Sequence, residues 1–143
     1  MRGDIVQVFI LCSMMAWCTY EDVVRRKISV LILLLFGIIG VILHLVFQEQ
    51  SIFNLLGGML IGALIVLLGR VSKGGIGYGD GLLLVISGVY LGLVENLQLF
   101  LLATLIASIW ALFLLIILKK GRKYKIAFVP CLFAAYIIIL LNG

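Results

Sequence analysis

Charge is scarce in this chain: Asp, Glu, Lys and Arg make up 12% of the sequence, against 65% hydrophobic residues. A soluble fold needs a polar covering that this composition does not supply, which excludes an ordinary water-soluble domain. Proline is nearly missing, with Pro130 alone in the sequence, so long apolar runs proceed unbroken. The cysteines Cys12, Cys18 and Cys131 lie singly in apolar stretches and form no C-x-x-C pair. That excludes a zinc ribbon or dithiol redox site and leaves them as packing residues. A G-x-x-x-x-G-K-[ST] phosphate loop is also lacking, as is a G-x-G-x-x-G turn after a strand.

What the sequence has is apolar length. Runs at about 5–20, 30–47, 52–68, 82–94, 99–118 and 126–141 approach the roughly 20 helical residues that cross a bilayer core of about 30 Å. The first run lacks a small-residue cleavage site followed by a polar sequence, so it reads as a retained span. The expected fold is an all-α integral membrane protein, one domain over 1–143, with about six transmembrane helices and a glycine-rich cytoplasmic loop. The fourth run, with only about 13 apolar residues, is short for a span. Either the glycine-rich stretch before it enters the membrane or the helix is broken. Small residues at four-residue spacing, Gly58 and Gly62, Gly88 and Gly92, Ala107 and Ala111, are expected to let helix backbones approach closely.

The net charge of +5 is explained by topology rather than by nucleic acid. Ten of the eleven basic residues fall in the breaks at 21–29, 69–81 and 119–125. The breaks at 48–51 and 95–98 hold Glu49 and Glu95 and no Lys or Arg. The positive-inside rule then puts the odd loops in the cytoplasm and both termini outside.

Of six carboxylates, Glu21, Asp22 and Asp80 fall in or beside those cytoplasmic loops, while Asp4, Glu49 and Glu95 fall on the outer side. An isolated acid at a span end reads as a solvated charge. Asp22 is followed four residues on by Arg26, a spacing able to hold it charged if the first helix continues. Asp80 sits among Gly74, Gly75, Gly77, Gly79 and Gly81, where a merely flexible loop has no use for an acid. Two aspartates delivered by neighbouring spans to one membrane side can meet and share a proton, since like charges a few ångströms apart do not both ionise cheaply. Such a pair hydrolyses peptides without metal or cofactor.

These residues resemble the prepilin peptidases. Asp22, Arg26 and Ile28 match a D-x-x-x-R-x-I-P-N pattern, Gly77-Tyr78-Gly79-Asp80 matches G-x-G-D, and Ile126-Ala127-Phe128-Val129-Pro130 resembles a late proline-containing motif. Ser29, Val30 and Leu82 depart from the family pattern, which usually has Pro, Asn and Lys there. The resemblance implies a membrane aspartyl endopeptidase that removes the basic leader of a prepilin or pilin-like protein at the cytoplasmic face of a bacterial or archaeal membrane. Asp22 and Asp80 would be catalytic, with Arg26, Gly77, Gly79 and Pro130 supporting. It also implies a form without a methyltransferase or zinc domain. The partners expected are the prepilin substrate and the lipid bilayer. Glu21 reads either as an attractor of the basic leader or as a solvated charge. Pro130, some five residues into the last run, is expected to kink that helix, and His44 is left outside the site. The alternatives are a small proton-coupled transporter, which favours acids near the bilayer midplane, and a non-proteolytic pilus-assembly subunit.

Reporter fusions after Lys27, Lys73 and Lys123 are expected to read as cytoplasmic, and fusions after Gln48, Glu95 and Gly143 as external. An external signal at Lys123 would overturn this topology.

Overall fold

The computed structural model describes residues 2–48, 50–73, 77–119, 121 and 126–143. Glu49, Gly74, Gly75 and the basic residues Lys120, Arg122, Lys123 and Lys125 lie outside them. The described elements are five helices, α1 (Arg2–Arg25), α2 (Val30–Phe47), α3 (Ile52–Val71), α4 (Tyr78–Ile116) and α5 (Val129–Asn142).

Each helix starts and stops for a local reason. The buried residues of α1, Leu11, Met14, Met15, Cys18 and Glu21, recur at three- and four-residue steps and so form one face. Arg26, at φ 52°, ends α1 in the left-handed region, and its N–H donates to the Asp22 carbonyl at 3.1 Å. Gln48, at φ 46°, ends α2 in the same way. The Ser51 hydroxyl accepts from the Phe53 N–H at 3.3 Å and caps α3.

The tightest packing joins α3 to α4. A Cβ added at Gly58 would lie 2.5 Å from the Gly88 carbonyl oxygen and 2.7 Å from the Gly92 carbonyl carbon. One at Gly62 would collide with the backbone of Leu84 and Val85. The two backbones therefore touch, as the Gly58/Gly62 and Gly88/Gly92 spacings predict.

Helix α4 is where the expected organisation changes. Its 39 residues would reach about 58 Å if straight, nearly twice a bilayer core of about 30 Å. It breaks at Gly92, whose φ of 79° and ψ of −171° are non-helical. Asn96 Nδ2 donates to the Leu84 carbonyl at 3.0 Å, although twelve residues of straight helix would separate them by about 18 Å. The second limb thus doubles back on the first. There are five helices among the described residues instead of about six because the fourth and fifth runs join through this break. The segment 95–98, expected as a loop, is helical, and the reversal lies at Gly92 instead.

A break inside an apolar bundle frees backbone groups that lipid cannot satisfy. Polar side chains from α3 and its approach meet them. The Leu93 N–H donates to Asn54 Oδ1 at 2.9 Å, and Gln50 Nε2 donates to the Tyr90 carbonyl at 3.1 Å. Deeper in, fully buried Asn96 also donates to the Gly58 carbonyl at 2.8 Å and accepts from the Ser87 hydroxyl at 2.7 Å. Such bonds contribute about 0.6–2 kcal/mol each in membrane bundles.

The outward surface is apolar. Leu31, Leu34, Ile38, Ile42 and Leu45 of α2 and Leu56, Leu60, Leu64 and Leu67 of α3 are exposed, a pattern suited to lipid. Helices α2, α3 and α4 are long and apolar enough to cross a membrane, and α5 is a shorter apolar helix. The chain is a multi-pass membrane protein.

Gly88→Ala is expected to destabilise the detergent-solubilised protein by about 1–3 kcal/mol or more, because the added methyl meets Gly58 backbone that cannot yield. Gly37→Ala, whose Cβ would sit 3.4 Å from Ile86 Cγ1, should melt close to wild type. Equal melting temperatures for the two variants would contradict the backbone contact.

Candidate active site

Both candidate aspartates are held at helix termini, where backbone groups lack intrahelical partners. Helix α1 runs through Asp22 to Arg25, so the side chain of Asp22 leaves the last turn of α1 and reaches the start of α5. There Asp22 Oδ2 accepts from the Val129 N–H at 3.3 Å, closing a loop of 107 residues. The carboxylate serves as the acceptor that the first turn of α5 otherwise lacks. Burial pushes the Asp22 carboxyl above its ordinary range, against the opposing pull of the Val129 N–H and of Arg26. The expected effect of Arg26, to hold Asp22 charged, is present but outweighed by burial.

Asp80 occupies the first turn of α4, beside that helix's unsatisfied N–H groups. Its carboxyl folds back over Gly77, where a Cβ would collide with Oδ2. A Cβ at Gly79 would meet Ile28 Cδ1 at 3.1 Å, so the turn between α1 and α2 rests on the start of α4. The glycines of the G-x-G-D sequence make room, one for the aspartate itself and one for Ile28. Two carboxyls 58 positions apart thus share one end of the bundle.

Next to Asp22 a cleft of about 700 Å³ opens, lined by Asp22 and Arg26 at its polar end and by Ile106, Trp110, Pro130 and Ala134 along its apolar wall. Asp80 does not line it. Pro130 differs from expectation. It stands in the first turn of α5, not five residues into a span, so its missing N–H is one that no helix bond requires and it introduces no kink.

Glu21 also differs. It is neither solvated nor directed to the cleft: it is 3% exposed, and its carboxylate accepts from the Ser29 N–H at 3.0 Å and the Ser29 hydroxyl at 2.8 Å. Those bonds, the backbone one foremost, hold Glu21 below the usual carboxylate range despite burial. Ser29, a departure from the prepilin peptidase pattern, is therefore the partner of a buried acid. Sequence reasoning missed this pair, and its only signal was the coincidence of an acid and a hydroxyl eight residues apart across a turn.

The two other described acids lie elsewhere. Asp4 and Glu95 line a second cleft with Gln50 and Tyr136, at the end of the molecule where α4 reverses. His44 stands in the last turn of α2, about 21 Å along the helix from its start beside Ser29. Among the described residues no three His, Cys, Asp or Glu side chains converge as a metal site.

The family model described as the type IV leader peptidase family matches residues 9–116. The chain belongs to the type IV leader peptidase family. The matched region holds Asp22, Arg26, Gly77, Gly79 and Asp80 and stops before α5, so the Val129 N–H and Pro130 lie beyond it. No curated protein and no solved structure matched the chain. Membership makes the chain a peptidase-family protein of the membrane.

Because Pro130 starts a helix and kinks none, Pro130→Ala should cost only about 0.4–1 kcal/mol through a freer unfolded chain. Thermal unfolding in detergent measures this. A loss of several kcal/mol would mean that the ring carries packing the first-turn position does not account for.

Proposed function

We propose that this protein is an aspartic-type endopeptidase that removes the short basic leader of a prepilin or pilin-like protein at the cytoplasmic face of the membrane, with Asp22 and Asp80 as its catalytic pair. The observation that supports the reading is that the helix ends carrying these two carboxyls lie at one end of the bundle, with Ile28, six residues after Asp22, packed on Gly79 beside Asp80. Asp4 and Glu95 gather at the other end and supply a contrast within the same chain.

A shared proton gives the pair two roles. The ionised carboxyl takes a proton from a water molecule as that water attacks the scissile carbonyl, while the protonated carboxyl donates to the carbonyl oxygen. A tetrahedral intermediate results. Its collapse breaks the C–N bond, and the proton taken from water passes to the departing amine. The proton belongs to the pair rather than to either residue. The apolar wall beside Asp22 suits the membrane-embedded part of a substrate, and the basic run Arg25, Arg26 and Lys27 marks the end at which the site faces the cytoplasm under the positive-inside rule. Gly77 and Gly79 support Asp80 by the room they leave, and Arg26 and Pro130 shape the cleft mouth.

Co-expression with a candidate prepilin tests this, read as a leader-sized mobility shift. Asp22→Asn and Asp80→Asn should each reduce cleavage by about 100-fold or more, with little change in membrane level. The double variant should be no worse than either single, because the two act as one unit. Asp4→Asn and Glu95→Gln should stay near wild type, and chelators should have no effect. Substantial activity in either single variant, or zinc-reversible inhibition by a chelator, would refute the aspartyl mechanism.

A further inference from the structure

The start of α4, which carries Asp80, is packed mainly against α3, while α1, which carries Asp22, makes few direct contacts with α4. The separation of the two aspartates is therefore set mostly through neighbouring elements. Helices α5 and α2 pack against both α1 and α4, and the α1–α2 turn adds the contact nearest the pair: Ile28 rests on Gly79, one residue from Asp80. This turn has no regular structure of its own over 26–29, and Arg26 within it holds a left-handed conformation. Glu21, the residue before Asp22, ties the far end of the turn back to α1 through both the N–H and the hydroxyl of Ser29.

We propose that Glu21 is a positioning residue: through Ser29 it clamps the α1–α2 turn so that Ile28 seats on Gly79 and the carboxyls of Asp22 and Asp80 are held in register. Glu21 touches neither aspartate's reacting atoms nor the cleft, and it acts through the backbone it restrains. A buried carboxylate accepting two bonds suits such a clamp. Both acceptor oxygens are used, and release of the turn would leave the buried charge with only Trp17 and Arg25 to stabilise it. Glutamine preserves much of this arrangement, since its carbonyl accepts from the Ser29 N–H and its amide donates to the Ser29 hydroxyl. Alanine preserves none of it.

The consequence for cleavage rests on the peptidase reading above, whereas the placement of the turn does not, so two measurements separate them. In the first, spin labels at exposed Lys27→Cys and Tyr78→Cys report the distance between the turn and the first turn of α4 in the full-length protein. The distribution should be narrow with Glu21, broad with Glu21→Ala and narrow again with Glu21→Gln. A distribution that Glu21→Ala leaves unchanged overturns the clamp whatever the protein's activity. In the second, prepilin cleavage by Glu21→Ala should lose at least about tenfold in kcat with KM little changed, and Glu21→Gln should recover to within about threefold of wild type. Ser29→Ala should be intermediate, and Glu21→Ala with Ser29→Ala no worse than Glu21→Ala alone. A Glu21→Gln variant as impaired as Glu21→Ala would show that the negative charge itself is needed, and full activity in Glu21→Ala would show that the turn is held without Glu21. Either result refutes the proposal. If Glu21→Ala does not accumulate in the membrane, Glu21→Gln and Ser29→Ala decide it in both measurements: near-native distances and rates in the first with losses in the second support the clamp, and any other ordering overturns it.

Discussion

A backbone N–H or C=O inside a bilayer has to find its partner within the protein, and the organisation of this chain follows from how it meets that demand. Four apolar segments meet it with helix alone. Helix α4 is too long for one crossing and reverses at Gly92, and the groups freed there are met by Gln50 and Asn54 on one side of the break and by Asn96 and Ser87 deeper in the bundle. Those bonds require α3 to lie against both limbs of α4 at backbone contact, which Gly58, Gly62 and Gly88 permit. Reversal, polar network and glycine contact are thus one solution. It fixes the first limb of α4 rigidly, and with it the position of Asp80.

The opposite end of the bundle follows the same rule with a different outcome. Helix termini collect there, and their unpaired backbone groups are matched by carboxylates: Asp22 receives the first N–H of α5, and Glu21 receives the N–H that precedes α2. Two neighbouring acids of α1 therefore do different work. Glu21 is fully engaged and held ionised, while Asp22 keeps capacity beyond its one long bond and is pushed toward protonation by burial. A carboxylate left with free acceptor capacity at a cleft differs in this way from one whose oxygens are both engaged. The difference between neighbours comes from which helix terminus each side chain can reach.

Much of this was legible in the sequence, and the errors have a common origin. The apolar runs located the helices because a bilayer imposes length and composition directly on the chain. Four-residue glycine spacing disclosed the α3–α4 contact for a similar reason, as it marks one helix face. What misled was the boundary of the fourth run: Glu95 and Gln98 looked like a loop because they are polar, yet they lie on helix at the reversing end, while the true break is at a glycine inside apolar sequence. Pro130 was assigned to a helix interior because the apolar run begins several residues before the helix does. Glu21 reads as solvated or leader-attracting because its partner Ser29 reaches it only when the chain turns after α1. Each mistake concerns where a helix ends, which hydropathy records poorly.

The sequence by itself determined that this protein lives in a membrane and where most of its helices lie, because composition and period are local properties of the chain. Its kinship to the type IV leader peptidase family is written there too, over residues 9–116. Only the tertiary structure decided that α4 folds back on itself, that Asp22 meets α5, and that Glu21 turns instead to Ser29. These depend on bonds between residues 8 to 107 positions apart. Such partners are chosen by the three-dimensional competition for unsatisfied backbone groups, which hydropathy and period along the chain do not record.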